Sequence, residues 1–260
     1  MESGIFGVPV EYLYLSGFVL FMLFMYPIGI LLQVKIPRFY PPTELSSSDS
    51  LLSGEVFELF GKQTVVLEKL GFAHFCYLDS HVPFGRLCET RLIQHVFSNS
   101  VEGTLASHTL FLSNNVEGKK SYWQNLTFSK PNSDTDDLIV STDTNLLVLK
   151  QLNNFTWVLP QSVSVEEQYR LFQKAIQRNN IPSRELPKTV ELLKTRWRQV
   201  QEKMFQEFEA KGMFAQRKDG HGYRYRYWHS FKVTWSWLVP GARKRVSELT
   251  NKDLAALRAI

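Results

Sequence analysis

Residues 12–34 read YLYLSGFVLFMLFMYPIGILLQV, 23 positions without one ionisable charge at neutral pH. A helix that is apolar on all sides has to be buried, in a protein core or in lipid. At ~1.5 Å per residue, this one would reach across a hydrocarbon layer ~30 Å thick. The sequence therefore predicts a transmembrane helix over residues 12–34. Pro27 and Gly29 are read as bends within it, since bilayer helices tolerate both. Tyr12 and Tyr14 at one end, and Tyr26, Phe39 and Tyr40 toward the other, match the placement of interfacial aromatic anchors.

A cleaved leader needs a basic start, an apolar stretch of ~7–15 residues and a small-residue cleavage site. None of these is present. Glu2 and Glu11 precede the run and Lys35 and Arg38 follow it, so the positive flank places the rest of the chain on the cytoplasmic side. The expected localisation is that of a single-pass membrane protein, with residues 1–11 outside. No later stretch approaches the ~18 uncharged residues of a second span.

Pro37, Pro41, Pro42 and the run TELSSSDS at 43–50 resist helix continuation and offer little apolar surface, which makes 35–51 a linker. With 44% hydrophobic and 21% charged residues, the remainder is neither collagen-like nor disordered and is long enough to bury a core. It divides into a folded domain over 52–211 and a tail over 212–260.

Within the domain, Val56, Leu59, Phe60, Val66, Leu67 and Leu70 recur at helical spacings before Gly71, a residue suited to a C-terminal cap. FAHFCYL at 72–78 reads as a strand, although its apolar positions do not alternate cleanly. Segments 90–98 and 104–113 are better strands and form a hairpin through Gly103; 121–129 and 138–150 extend it to an antiparallel sheet of four to six strands. Ser164 with Glu167 is a capping-box pattern ahead of a helix carrying Tyr169, Leu171, Phe172 and Ile176. A second helix follows, in which Leu186, Val190, Leu193, Trp197, Val200 and Met204 form a stripe. That stripe serves either an amphipathic helix lying on the sheet, the favoured reading, or self-association through 186–204. Helix, then strands, then two C-terminal helices defines an α+β class.

Charge is concentrated at the end. Residues 211–260 hold 11 Lys/Arg against 3 Asp/Glu, whereas the preceding 210 hold 19 against 22. The tail alternates Tyr223, Tyr225 and Tyr227 with Arg224, Arg226 and Trp228, a period of two that indicates a strand; beyond Trp228 helical and extended spacings compete. Tyr and Trp with Arg and Lys are the residue mix of a lipid interface. Arg224, Arg226, Trp228, Trp235, Trp237, Arg243, Lys244 and Arg245 are accordingly the candidate residues for contact with anionic lipid headgroups. Nucleic acid is disfavoured, because no recognition motif accompanies the charge.

Catalytic signatures are missing from the sequence. His74, Cys76, His81, Cys88 and His95 are ligand types whose spacing matches no compact zinc pattern. Both cysteines read as buried small hydrophobes. Asp219 and His221 flank Gly220 in a turn, and Asp134, Asp136 and Asp137 lack the glycine and distal glutamate of a calcium loop. No nucleotide-binding glycine motif occurs, so no metal or cofactor is implied. Asn125 and Asn154 fit the N-glycosylation pattern but lie on the cytoplasmic side of the expected topology. The functional expectation is a membrane-anchored binding or scaffolding domain. The alternative is a membrane-associated hydrolase or transferase acting on lipid or envelope substrates, its active residues dispersed along the chain.

Overall fold

A computed structural model of the chain describes residues 12, 14–19, 21–22, 25, 36–37, 41–52, 54–84, 88–114, 120–143, 155–218, 220, 222–226 and 241–260. They fall into two compact units, one comprising residues 1–37 with 208–242 and the other 38–207 with 243–260.

Among the described residues no helix is long and apolar enough to cross a membrane. This overturns the single-pass anchor expected over 12–34, and with it the membrane localisation and sidedness inferred from Lys35 and Arg38. Described helical positions in that run lie between Tyr12 and Met25. Lack of charge is necessary for a span, but continuous helix of full length is necessary too.

The larger unit is built on a seven-stranded sheet in the order β2 (Thr43–Leu45), β3 (Ala73–Phe84), β4 (Cys88–Asn99), β5 (Thr104–Asn114), β6 (Lys120–Pro131), β7 (Asp137–Ser141) and β8 (Thr156–Val158). All neighbours are antiparallel except β7 and β8. The sheet has seven strands where four to six were expected, and β3 to β6 are each 11 or 12 residues long. The β4–β5 hairpin turns at Gly103, whose φ of +65° suits glycine and where an added Cβ would lie 2.9 Å from the Arg184 carbonyl.

Helices α1 (Glu55–Lys69) and α2 (Val165–Arg178) supply residues to the core over one face, here the inner face. Phe60 and Val56 of α1 meet Ile93 and Leu110, while Leu171, Phe172 and Ala175 of α2 join Phe97, Phe128, Leu138 and Val140. Each fully buried Phe or Leu in this layer stabilises by about 1.5–3 kcal/mol. The α2 N-terminus forms as its capping pattern predicts, the Ser164 hydroxyl accepting from the Glu167 amide at 3.2 Å. Gln168 is buried on the inner side of α2 and donates to the carbonyls of Leu126 and Val140, tying the helix to two strands.

Helix α3 (Val190–Ala210) lies on the opposite, outer face through its N-terminal half: Leu193 is fully buried and, with Leu186, Val190 and Trp197, packs on Cys76, Leu78, Val96 and Leu105. A further helix, α4 (Ala242–Arg258), adds to the two C-terminal helices expected from sequence. Its Leu254 and Leu257 enter the inner-face core, and the Asp253 carboxylate accepts from the Val158 amide at 3.0 Å. Asp253→Ala leaves that buried N–H without its acceptor, and should lower the free energy of unfolding by about 1–3 kcal/mol in urea titrations.

The smaller unit contains a three-stranded antiparallel sheet in the order β1 (Ile36–Pro37), β10 (Gly222–Tyr225) and β9 (Phe214–Gln216). Phe208 and Phe214 meet edge-on with centroids 4.9 Å apart, and Tyr223 is buried.

Candidate functional site

Pairing register places Tyr77, His95 and His108 side by side across β3, β4 and β5 on the inner face, beneath Phe60 of α1. His74 joins them because β3 carries a bulge between His74 and Cys76. One extra residue reverses the alternation: His74 and Tyr77 share the inner side, whereas Phe75 and Cys76 both belong to the outer-face cluster. The irregular FAHFCYL pattern is the sequence trace of that bulge.

The hydrogen bonds assign the imidazole protons. The Thr64 hydroxyl donates to the Phe60 carbonyl at 3.0 Å, so its oxygen faces His95 Nδ1, 3.5 Å away, as an acceptor. His95 Nε2 is then free to accept from His74 Nδ1 at 2.9 Å. His74 is exposed, and its Nε2 carries the remaining lone pair. His108 Nε2 donates to Gln124 Oε1 at 3.0 Å, leaving Nδ1 as a buried lone pair without a partner among the described residues.

His95 and His108 retain only 2% and 1% of their surface. Burial pushes His95 down to about 3, helped by the neighbouring His74 and His108, and pushes His108 down to about 4 against the favourable bond to Gln124. Burial also lowers His74. All three are neutral at pH 7. Two serve as polar core residues, and only His74 presents a basic nitrogen to solvent. No carboxylate or nucleophilic side chain is bonded to that nitrogen among the described residues, and no three His, Cys, Asp or Glu converge there as metal ligands.

Cys76 is buried on the other side of the sheet. Desolvation, with the Glu44 charge, raises its thiol to about 12 despite Lys194, so it holds no thiolate at neutral pH. The side chains of His81 and Cys88 lie outside the described residues, as do Asp219 and His221. The acidic loop is neutralised from within: Asp134 pairs with Arg184, Asp136 with Lys203 and Asp137 with Arg196. Asn125 retains 5% of its surface in the interior strand β6, so burial rather than topology closes this glycosylation pattern in the folded state. Asn154 lies outside the described residues.

Of the basic and aromatic residues singled out by sequence, Arg224 stands exposed on β10 next to buried Tyr223, and Arg226 is exposed just past the end of that strand. Arg226 Nε donates to the Phe214 carbonyl at 3.2 Å. Lys244 and Arg245 are exposed in the first turn of α4, and Arg243 lies in the same turn. Trp228, Trp235 and Trp237 lie outside the described residues.

Sequence reasoning missed a second surface. On the outer face, register aligns Leu92, Phe111 and Trp123 in one row and Gln94, Thr109 and Asn125 in the next, beside the strip covered by α3. The Phe111 and Trp123 rings are parallel to within 8° at 5.3 Å, and Trp123 keeps 39% of its surface. The available signal was the outward parity of WQN and TLF relative to the core residues between them. Comparison with protein-family models, with characterised proteins and with solved structures finds no match to this chain.

Proposed function

We infer that this protein acts by binding rather than by catalysis, and that its basic C-terminal fifth meets a phosphate-bearing anionic surface. One observation carries the reading: in the segment that holds the chain's net positive charge, the neighbouring residues Lys244 and Arg245 are exposed and make no ion pair among the described residues. Unmatched cations in a segment that holds the chain's net positive charge attract an external anion, and each contributes about 1 kcal/mol at an anionic lipid surface. Among the described residues, His95, His108 and Cys76 are sequestered in uncharged form, which supports the same reading.

The test is sedimentation of the full chain with vesicles containing phosphatidylserine, against vesicles of phosphatidylcholine alone and against duplex DNA. Binding to the acidic vesicles should weaken as salt rises, and should fall at least about thirtyfold in a Lys244→Glu/Arg245→Glu variant, since two lost attractions of about 1 kcal/mol are joined by the repulsion of the reversed charges. Retention on DNA but not on vesicles would move the reading to nucleic acid. Equal binding of the wild type and the double variant to every probe would overturn it.

A further inference from the structure

The outer-face surface differs in chemistry from the basic tail. In a chain with 30 Lys/Arg and 25 Asp/Glu, the adjacent outer-face positions Leu92, Gln94, Phe111 and Trp123, with the buried Thr109 and Asn125 between them, include no ionisable group. Such a surface gives no purchase to a phosphate or a charged peptide side chain. Its ligand has to be uncharged.

Two further features narrow the class. The indole of Trp123 is stacked on one side by Phe111, which fixes its orientation while leaving much of it accessible. A fixed, exposed aromatic surface favours a ligand with a flat C–H face. Around it the polar groups are amides and hydroxyls already held in place. Gln94 Nε2 donates to Thr109 Oγ1 at 3.4 Å, and exposed Gln161 donates through Nε2 to Asn125 Oδ1 at 3.3 Å. Each amide has donor or acceptor capacity beyond the bond named, suited to neighbouring hydroxyls that both give and take hydrogen bonds. A pyranose combines these properties, with axial C–H groups on one face, hydroxyls at the rim and no charge. We propose that the outer face of β4, β5 and β6 binds a neutral saccharide, with Trp123 as the stacking platform and Gln161 and Gln94 as hydrogen-bonding arms.

The proposal is tested by titrating the full chain with three uncharged hexasaccharides, of β-1,4-linked glucose, β-1,4-linked N-acetylglucosamine and α-1,4-linked glucose. Binding is read from indole fluorescence and from tryptophan side-chain resonances. At least one should give a saturable shift. Trp123→Ala should weaken it about tenfold, the effect of losing one good aromatic contact, and Trp123→Phe should recover part of the loss. Gln161→Ala provides a second variant at an exposed position, should Trp123→Ala fail to fold, and should also weaken binding. Lys244→Glu/Arg245→Glu should leave the saccharide response intact, so loss of vesicle binding and loss of saccharide binding are separable results. No saturable response to any of the three sugars, or a response unchanged in both Trp123→Ala and Gln161→Ala, would overturn the proposal.

Discussion

Lowering the pH from 7 to 5 should reduce the free energy of unfolding by about 4 kcal/mol, close to 2 kcal/mol from each of His95 and His108. In the unfolded chain both imidazoles titrate at the ordinary value of 6.5, while burial holds them near 3 and 4 in the fold. Below 6.5 the unfolded state takes up protons that the native state refuses, so the stability present above that value is lost progressively as the pH falls toward 4. Asp137 opposes the trend at the acid end. Burial raises its carboxyl, so the native state takes up that proton before the unfolded state does. Urea titrations from pH 7.5 to 4.5 should show a slope approaching two protons below pH 6, and His108→Gln should remove about half of it. A flat profile would show that the two imidazoles gain protons without leaving the core.

The second large effect lies at the contact between α3 and the start of β7. Arg196 and Asp137 form an ion pair in which the side chains are 14% and 10% exposed, and the guanidinium also donates to the carbonyls of Ser133 and Asp136. Removing one partner from such a pair strands the other, at a cost of about 3–5 kcal/mol. Arg196→Met should therefore be severely destabilising at pH 7, whereas Arg196→Met with Asp137→Asn should recover at least about 2 kcal/mol of the loss. The deficit of the single variant should narrow as the pH falls, because the unopposed carboxyl can then protonate within the fold. Equal destabilisation of the single and double variants would mean that the carbonyl bonds of Arg196, rather than its charge, secure the helix.

Much of the sheet is legible from residue order because strand parity is a local property. The β4–β5 hairpin, its Gly103 turn, the Ser164 cap and the α1 stop at Gly71 each depend on residues within about four positions of one another. The β3 bulge was visible only as broken alternation. Its consequence, bringing His74 to His95, required knowing that β4 runs beside it. Likewise the 186–204 stripe announced an apolar helix face without naming what it faces; Cys76, Leu78, Val96 and Leu105, about a hundred positions away, answer that. The 12–34 run misled for the converse reason. Hydropathy reports how strongly residues avoid water, whereas a span also needs a helix of sufficient length, and among the described residues no helix is long and apolar enough to cross a membrane.

Residue order alone determined the α+β class, the antiparallel pairing of the central strands and the concentration of positive charge in the last fifth, since periodicity, turn chemistry and net charge are carried by near neighbours. Tertiary structure decided which histidines lose their protons, which carboxylates meet which cations, and which strand residues pair the rings of Phe111 and Trp123 beside α3. Desolvation and ion pairing depend on groups brought together from distant parts of the chain, and no local pattern encodes that distance.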